Sequence, residues 1–446
     1  MISDSRHHGD APVGCTTRRS PSALRGLVAV VAALWSVCAQ AIAAQVPGDL
    51  DLSFAGGAGA IASLVIGPGT HDHLTAMAMQ PDGKMVLAGY CDGPTSQDFC
   101  VARLNADGTL DASFVGPNGN GAGKFLLDIS NAADAASAVA IQADGKIVIA
   151  GSCHNGVNSD FCVARLNPNG SRDSTFNGPG GAGNGQVMLP IGFSDDYATA
   201  IALMPDGRMV LTGYCYVTNQ FDFCAARLNA NGSFDTSFVG PIGTGAGKIA
   251  FPMGTANDYA TAVALQADGK LVIAGYCTGA MGNNDFCIAR LDSVGAFDPT
   301  FDGPSGVGNG KFLLPIGTLE DFASAVLIDP EGKIVLAGSC QLTLTNYDFC
   351  AARLNTDGSF DATFTGPGGS GNGKFLLPIT ATKSDSAAAL AQQPDGKLLL
   401  SGHCDNGGNE DFCVVRLHID GSLDTSFEGS RRHRQRQVPA PDRQRR

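Results

Sequence analysis

Ala138-Val139-Ala140-Ile141-Gln142-Ala143-Asp144-Gly145-Lys146-Ile147-Val148-Ile149-Ala150-Gly151 is the stretch from which the fold can be read. Two runs of small or branched apolar residues flank an Asp-Gly pair. Asp-Gly tolerates the positive φ of a tight turn, so the stretch predicts two antiparallel strands joined as a hairpin. Counterparts begin near Ala76, Ala200, Ala262, Ala325 and Ala389, which sets a period of about 62 residues.

Each copy continues in the same way. A cysteine is followed by a loop of varied sequence, then by a segment such as Asp160-Phe161-Cys162-Val163-Ala164-Arg165-Leu166-Asn167. An Asn/Asp-Gly turn, a Leu-Asp-x-Ser/Thr-Phe stretch, a Gly-Pro-rich loop and a short apolar run such as Lys311-Phe312-Leu313-Leu314-Pro315-Ile316 complete it. Four short runs per copy, each bounded by Gly, Asn, Asp or Pro, predict four strands. A four-stranded antiparallel unit at this period is the mark of a propeller blade. The expectation is therefore an all-β chain over residues 45–430, a six-bladed β-propeller.

Strand order follows from side-chain size. Small residues suit the strand nearest the axis, so Ala-Val-Ala-Ile-Gln and its copies are expected to be innermost. The chain then starts out of phase: Leu50-Asp51-Leu52-Ser53-Phe54 and residues 60–66 match the last connection and the fourth strand. The last copy reaches Leu423-Asp424-Thr425-Ser426-Phe427, where its own fourth strand should begin. Closure of the ring by the N-terminal segment, as the outer strand of blade six, is the expectation.

These residues resemble the delta-60 repeat family of bacterial β-propeller-like proteins, whose unit combines Pro-Asp-Gly-Lys, an aliphatic strand ending in Ala-Gly, and Ala-Arg-Leu-Asn-x-Asp-Gly-Ser-Leu-Asp-x-Ser-Phe. The resemblance runs from about Asp49 to Phe427 and recurs six times. It implies an exported or surface repeat module with no common activity. The cysteines and the C-terminal arginines depart from the family pattern.

The two ends bear on compartment. Arg18, Arg19 and Arg25 precede an apolar run over residues 27–44 that closes in small residues, the order of a secretory signal, so residues 1–44 are expected to be removed. Residues 431–446 carry seven arginines and one acid, and are expected to form a disordered tail or to arise from a frame slip. Taking the tail's +6 and the leader's +2 from the net −13 leaves −21 on the body, which repels phosphate backbones and argues against nucleic acid. No membrane span is expected after signal cleavage.

Of the 14 cysteines, twelve fall in the body, two per blade: Cys91 with Cys100, Cys153 with Cys162, Cys215 with Cys224, Cys277 with Cys287, Cys340 with Cys350, and Cys404 with Cys413. Each pair brackets the loop between strands two and three. Adjacent antiparallel strands bring Cα atoms to disulfide distance, and the Cys-x-x-Cys spacing or nearby histidine of a metal site is missing. Six disulfides, and with them a secreted, periplasmic or cell-surface location, are expected.

Three sets of residues are candidates for chemistry. Asp72, Asp134, Asp196, Asp258, Asp321 and Asp385 stand just ahead of strand one and would ring a channel mouth. Such a ring could hold Ca²⁺, a hard cation that takes oxygen ligands, or could bond backbone amides and lock blades. Asp98, Asp160, Asp222, Asp285, Asp348 and Asp411 precede Arg103, Arg165, Arg227, Arg290, Arg353 and Arg416 by five residues, and repetition in every blade suggests ion-paired scaffolding. Asn105, Asp107 and Asp111 resemble a calcium loop but lack its spacing, so a capped turn is expected. Among singular residues, His73, His154 and His403 fall on blades one, two and six.

The expectation for function is a monomeric binding or structural interaction module, with protein, peptide or glycan taken up by the variable cysteine-flanked loops. The alternative is a propeller hydrolase or lyase with a carboxylate/histidine site at the channel mouth, with Ca²⁺ as the candidate cofactor. Trp35, the one tryptophan, lies in the leader and only seven tyrosines are present, so an aromatic platform is not expected.

Overall fold

The computed structural model describes residues 51–427 apart from 52, 58–61, 70, 182, 242–245, 344–345, 370, 381–382 and 406. The signal segment and the basic tail therefore lie outside the described residues. Six antiparallel sheets follow one another along the chain. In blade one, Asp72–Met79, Met85–Asp92, Gln97–Leu104 and Lys124–Leu127 pair in chain order, and four more blades repeat this. The sixth holds three strands, Asp385–Gln392, Leu398–Asp405 and Glu410–Leu417. The chain is an all-β, six-bladed β-propeller. Among the described residues its one helical segment is the single 3-10 turn Phe54–Gly57.

Local chemistry sets each hairpin. Gly145 adopts φ 80°, Gln142 and Lys146 close the turn at 2.8 Å, and Asp144 Oδ1 accepts the Lys146 amide. Strand one then bulges, between Ala136 and Ala138 in blade two. Across from the bulge stands Gly151, where a Cβ would lie 2.0 Å from the Ala135 carbonyl oxygen, so only glycine fits. The bulge aims a hydroxyl at the next blade: Thr199 Oγ1 donates to the Ala260 carbonyl at 2.8 Å, and Thr261 Oγ1 to that of Ala323. Strand one is thus the innermost strand, as side-chain size predicted.

The core lies between blades, not within them. Phe161 and Val163 of blade two share a cluster with Met209 and Leu211 of blade three, and the other junctions do likewise. A second element fastens each junction. Phe176, fully buried, presses against Gly232 of the next blade, whose Cβ would meet the ring at 2.8 Å and whose φ is +85°. Arg165 covers the same ring at 4.7 Å, bonds Asp173 at 2.8 Å, and donates to the Ala230 carbonyl of the next blade. Each junction is a phenylalanine plug in a glycine socket, clamped by an arginine.

That arrangement corrects the ion pairing expected from spacing. Arg103 and its counterparts pair with the aspartate eight residues on, Asp111 in blade one, and not with Asp98. Five residues along a strand span about 17 Å and end on the opposite face, so the nearer aspartate in sequence is out of reach.

Ring closure also differs from expectation. Among the described residues the sixth sheet holds three strands and residues 62–66 join none of them; residues 58–61, which would begin the closing strand, lie outside the described residues. Residues 62–66 are held by blade one. The Ile66 amide donates to Asp72 at 2.8 Å and Lys124 Nζ to the Val65 carbonyl, as Ile191 does to Asp196 and Lys248 to Pro190. Phe54 occupies the Gly108 socket. The physical reason is duplication: the segment and blade six each bring a plug, Phe54 and Phe427, and Gly108 can take one. Blade six therefore keeps an open side, where Phe412 is 96% exposed although Phe99, Phe161, Phe223, Phe286 and Phe349 are fully buried. Ala388 stands where the other blades carry the hydroxyl that reaches the next blade, and Leu74 of blade one replaces the alanine that would receive it.

Candidate ligand face

Strand two ends and strand three begins at one end of the propeller, and six disulfides staple the intervening loops. Cα separations are 5.7–5.9 Å. Cys153 stands opposite Asp160 and Cys162 opposite Gly151, so each bridge runs diagonally across the hairpin. The pairing expected for all twelve cysteines is the one observed.

The six aspartates ahead of strand one, the candidate Ca²⁺ ring, each accept a backbone amide. Asp134, Asp196, Asp258, Asp321 and Asp385 are buried. Each carboxylate accepts backbone amides from the end of the preceding blade's fourth strand: Asp196 takes Ile191 at 2.7 Å and Gly192 at 2.9 Å, and Asp321 takes Ile316 and Gly317 likewise. They fasten blade to blade. Burial pushes Asp196, Asp258 and Asp321 up to about 6, with the neighbouring Asp160, Asp222 and Asp285 carboxylates adding to the rise. Asp98 and Asp348 of the second series are raised to about 6 as well, by burial first and by Asp128, Asp134 or Asp385 next.

Among the described residues one trio of metal-ligand type side chains converges, Asp98, Asp128 and Asp134, with oxygens within 4.8 Å of one another. Asp128 stands where later blades carry Pro190, Pro252, Pro315 and Pro378, and Arg172 donates to its carbonyl at 3.1 Å. No histidine joins it. His73 stacks on Tyr90 at 4.8 Å, His154 Nδ1 accepts the Gly156 amide, and His403 lies in register with Ser386. Asp134 and its counterparts, carboxylates that a hydrolase or lyase could draw on, are thus engaged in joining blades. Asp107 caps its own turn, accepting from Thr109, and Asp111 binds Ser113 and Arg103, so the calcium-like stretch is a capped turn.

Sequence reasoning missed an aromatic belt. All seven tyrosines lie at the disulfide end. The second residue of strand one and its cross-strand partner are Tyr197 and Tyr214 in blade three, and Tyr259 and Tyr276 in blade four. Phe322 continues the row in blade five. Ring centroids follow without a break: Tyr197 to Tyr214 at 5.2 Å, Tyr214 to Tyr259 at 4.9 Å, Tyr259 to Tyr276 at 5.0 Å, Tyr276 to Phe322 at 4.8 Å, and Phe322 to Tyr347 at 5.8 Å. Tyr216 and Phe221 join from the blade-three loop. Blade two places Ala135 and Ser152 at the same positions, and blade six Ser386 and His403. The signal was present in the repeats once aligned: aromatics at one scaffold position in three successive blades, with His73 and Tyr90 at that position in blade one.

The chain matches the family described as domain of unknown function (DUF5122) β-propeller at residues 80–114, 142–176, 205–238, 266–301, 330–364 and 393–427. No curated protein matches it. Among solved structures, it is similar to Sqt1 from Chaetomium thermophilum, with 14% identity over 80% of this chain and 72% of that one, at a TM-score of 0.39. It is also similar to an ulvan lyase of polysaccharide lyase family PL25, with 11% identity over 77% and 80% of the two chains and a TM-score of 0.44. A protein of unknown function from Dyadobacter fermentans shows 12% identity over 79% and 96%, with a TM-score of 0.40. The chain carries the repeat of the DUF5122 β-propeller family six times, once in each blade.

Proposed function

We propose that this chain is an exported binding module that takes its ligand at the disulfide-loop end of the propeller. One observation carries the reading: the two ends of the same blades are treated differently. At the far end each blade repeats one short turn of the Asp-Gly-Lys type, which closes the hairpin and lends its cation to the aspartate of the arginine clamp. At the near end the frame is constant, with six cysteine pairs at one Cα spacing, while what it presents changes from blade to blade. Val157 and Met281 stand 88% and 96% exposed on such tips, and Phe193 is 90% exposed on a neighbouring loop.

Apolar side chains held in water on a stapled loop are costly for solubility and useful for contact. The disulfides support the export reading, since an oxidising compartment is where such bridges persist. Transfer of the blade-two tip, together with Ala135 and Ser152 of its strand ends, into the other five blades would make the end uniform. The wild-type chain is expected to be retained on at least one member of a panel of immobilised glycans, peptides and proteins, and the uniform variant to lose that retention with its melting temperature unchanged. A uniform variant that binds as the wild type does would overturn the proposal.

A further inference from the structure

We infer that the tyrosine belt of blades three to five is a platform for a neutral glycan chain; this deepens the binding-module reading and rests on it. The fold does not require these rings. Blade two builds the same hairpin in the same register with Ala135 and Ser152, so Tyr197, Tyr214, Tyr259 and Tyr276 answer to something other than the scaffold.

Their chemistry is specific. Among the described residues no tyrosine hydroxyl is bonded to a protein group, and none is sealed from solvent. Burial pushes the Tyr214 hydroxyl up to about 12 and raises Tyr276, so both stay protonated and able to donate. A row of half-buried rings ending in free phenols offers apolar surface and hydroxyl donors in alternation, and the sugar ring presents the same alternation of C–H faces and hydroxyls. Such a surface suits a flat, extended chain more than a compact ligand. Two cavities among the described residues lie elsewhere, one beside His73 and Leu74, the other at the far end around Asp144 and Asp206.

Charge selects among polymers. Among the described residues every cation stacked on a ring sits on a phenylalanine of the plug or of a neighbouring position, and none covers a tyrosine. Asp195, whose carbonyl takes the Tyr216 amide, and Glu320, which accepts from Asn284 and helps to raise Tyr347 after burial, border the belt, while Lys248, Lys311 and Lys374 are tied to the Pro190, Pro252 and Pro315 carbonyls and face the buried Asp196, Asp258 and Asp321. With a body of strong negative charge, sulfated or uronate polymers are repelled. Peptides are held at a free sheet edge or in a groove, and at this end of the blades the belt provides neither.

The test is affinity electrophoresis of the full exported chain in gels containing hydroxyethylcellulose, xylan, galactomannan or dextran, with alginate as the anionic comparison. Retardation by at least one neutral polymer and none by alginate is expected. Tyr259→Ala should weaken it about tenfold, the scale of losing one central aromatic contact. Should that variant fail to fold, Tyr276→Phe keeps the packing and removes only the hydroxyl, and its retardation should fall too. Absence of retardation by every neutral polymer, or retardation that survives Tyr276→Phe and Tyr259→Ala unchanged, overturns the inference. Capture of a peptide or protein at this end without any glycan overturns it and leaves the binding-module reading standing; binding of nothing on any panel removes both.

Discussion

Replacing Phe176 with alanine removes one of the plugs on which the blade junctions depend. Its ring is fully buried, faces the Cβ-less Gly232 of the next blade and lies under the Arg165 guanidinium. Burial loss and the remaining cavity put a Phe→Ala change in a packed core at about 3–5 kcal/mol. The socket cannot collapse inward, because Arg165 is fixed by Asp173 and by the Ala230 carbonyl, so a loss near the middle of that range, about 4 kcal/mol, is expected. Phe427 makes the same arginine contact, with Arg416 at 4.7 Å, but it is only half buried and has no socket, so Phe427→Ala should cost about 1 kcal/mol. Gly232→Ala attacks the junction from the other side. A left-handed φ costs a non-glycine residue about 1–2 kcal/mol, and the added methyl group meets the Phe176 ring at 2.8 Å. Guanidinium unfolding followed by far-ultraviolet circular dichroism would give the three values, with hydrogen exchange showing whether blades two and three open first. A Phe176→Ala loss under about 1 kcal/mol would refute the plug-and-socket account. A Phe427→Ala loss as large as that of Phe176→Ala would show that Phe427 is socketed in solution, and so that blade six closes on blade one.

Stability should peak in mild acid. Asp98, Asp196, Asp258, Asp321 and Asp348 are raised to about 6, so the folded state holds protons that the unfolded chain has released above about pH 4; their contribution is full below that point and is lost as pH rises through about 6. Asp173 and Asp298 run the other way: burial raises them, but bonds from Thr175 or Thr300 and from Lys146 or Lys270, with the charges of Arg165 and Arg290, outweigh it and hold them at about 2. Their contribution is present above about pH 4 and lost as pH falls toward 2, so melting temperatures from pH 2 to 8 should be highest between about 4 and 6, and a curve rising steadily to pH 8 would contradict this. Replacing both Cys215 and Cys224 with serine opens a loop of about ten residues and should cost about 2–3 kcal/mol in the loop-entropy account, read from the same denaturant curves; no loss would mean the tip is ordered without its staple.

The hairpins, the blade count, the inner position of strand one and the cysteine pairs were legible because each rests on local chemistry repeated six times. Asp144-Gly145 closes its turn wherever it occurs, and Cys153 and Cys162 stand diagonally within disulfide reach once the hairpin exists. What was not legible depends on which blade meets which. The partner of Arg165 is Asp173 because strand geometry puts Asp160 on the wrong face, and the plug has meaning only when Phe176 finds Gly232 some 56 residues on. Ring closure was misread for the same reason: Phe54 and Phe427 look equivalent in sequence, and only the contact with Gly108 tells them apart.

The aromatic belt illustrates a different limit. Seven tyrosines in 446 residues are few, and counted over the whole chain they argue against an aromatic surface. Counted by place in the repeat they argue for one, because the strand-two partner of each blade meets position two of strand one in the following blade, and a residue type used in successive copies becomes a continuous row. Tyr197, Tyr259 and Phe322 lie more than 60 residues apart in sequence and in one chain of ring contacts through Tyr214 and Tyr276. In a propeller, then, composition is a poor guide to surface chemistry, since the repeat concentrates a few side chains into one sector. The residues that break the symmetry are those the scaffold does not need, and in this chain they collect on the face where the stapled loops already vary.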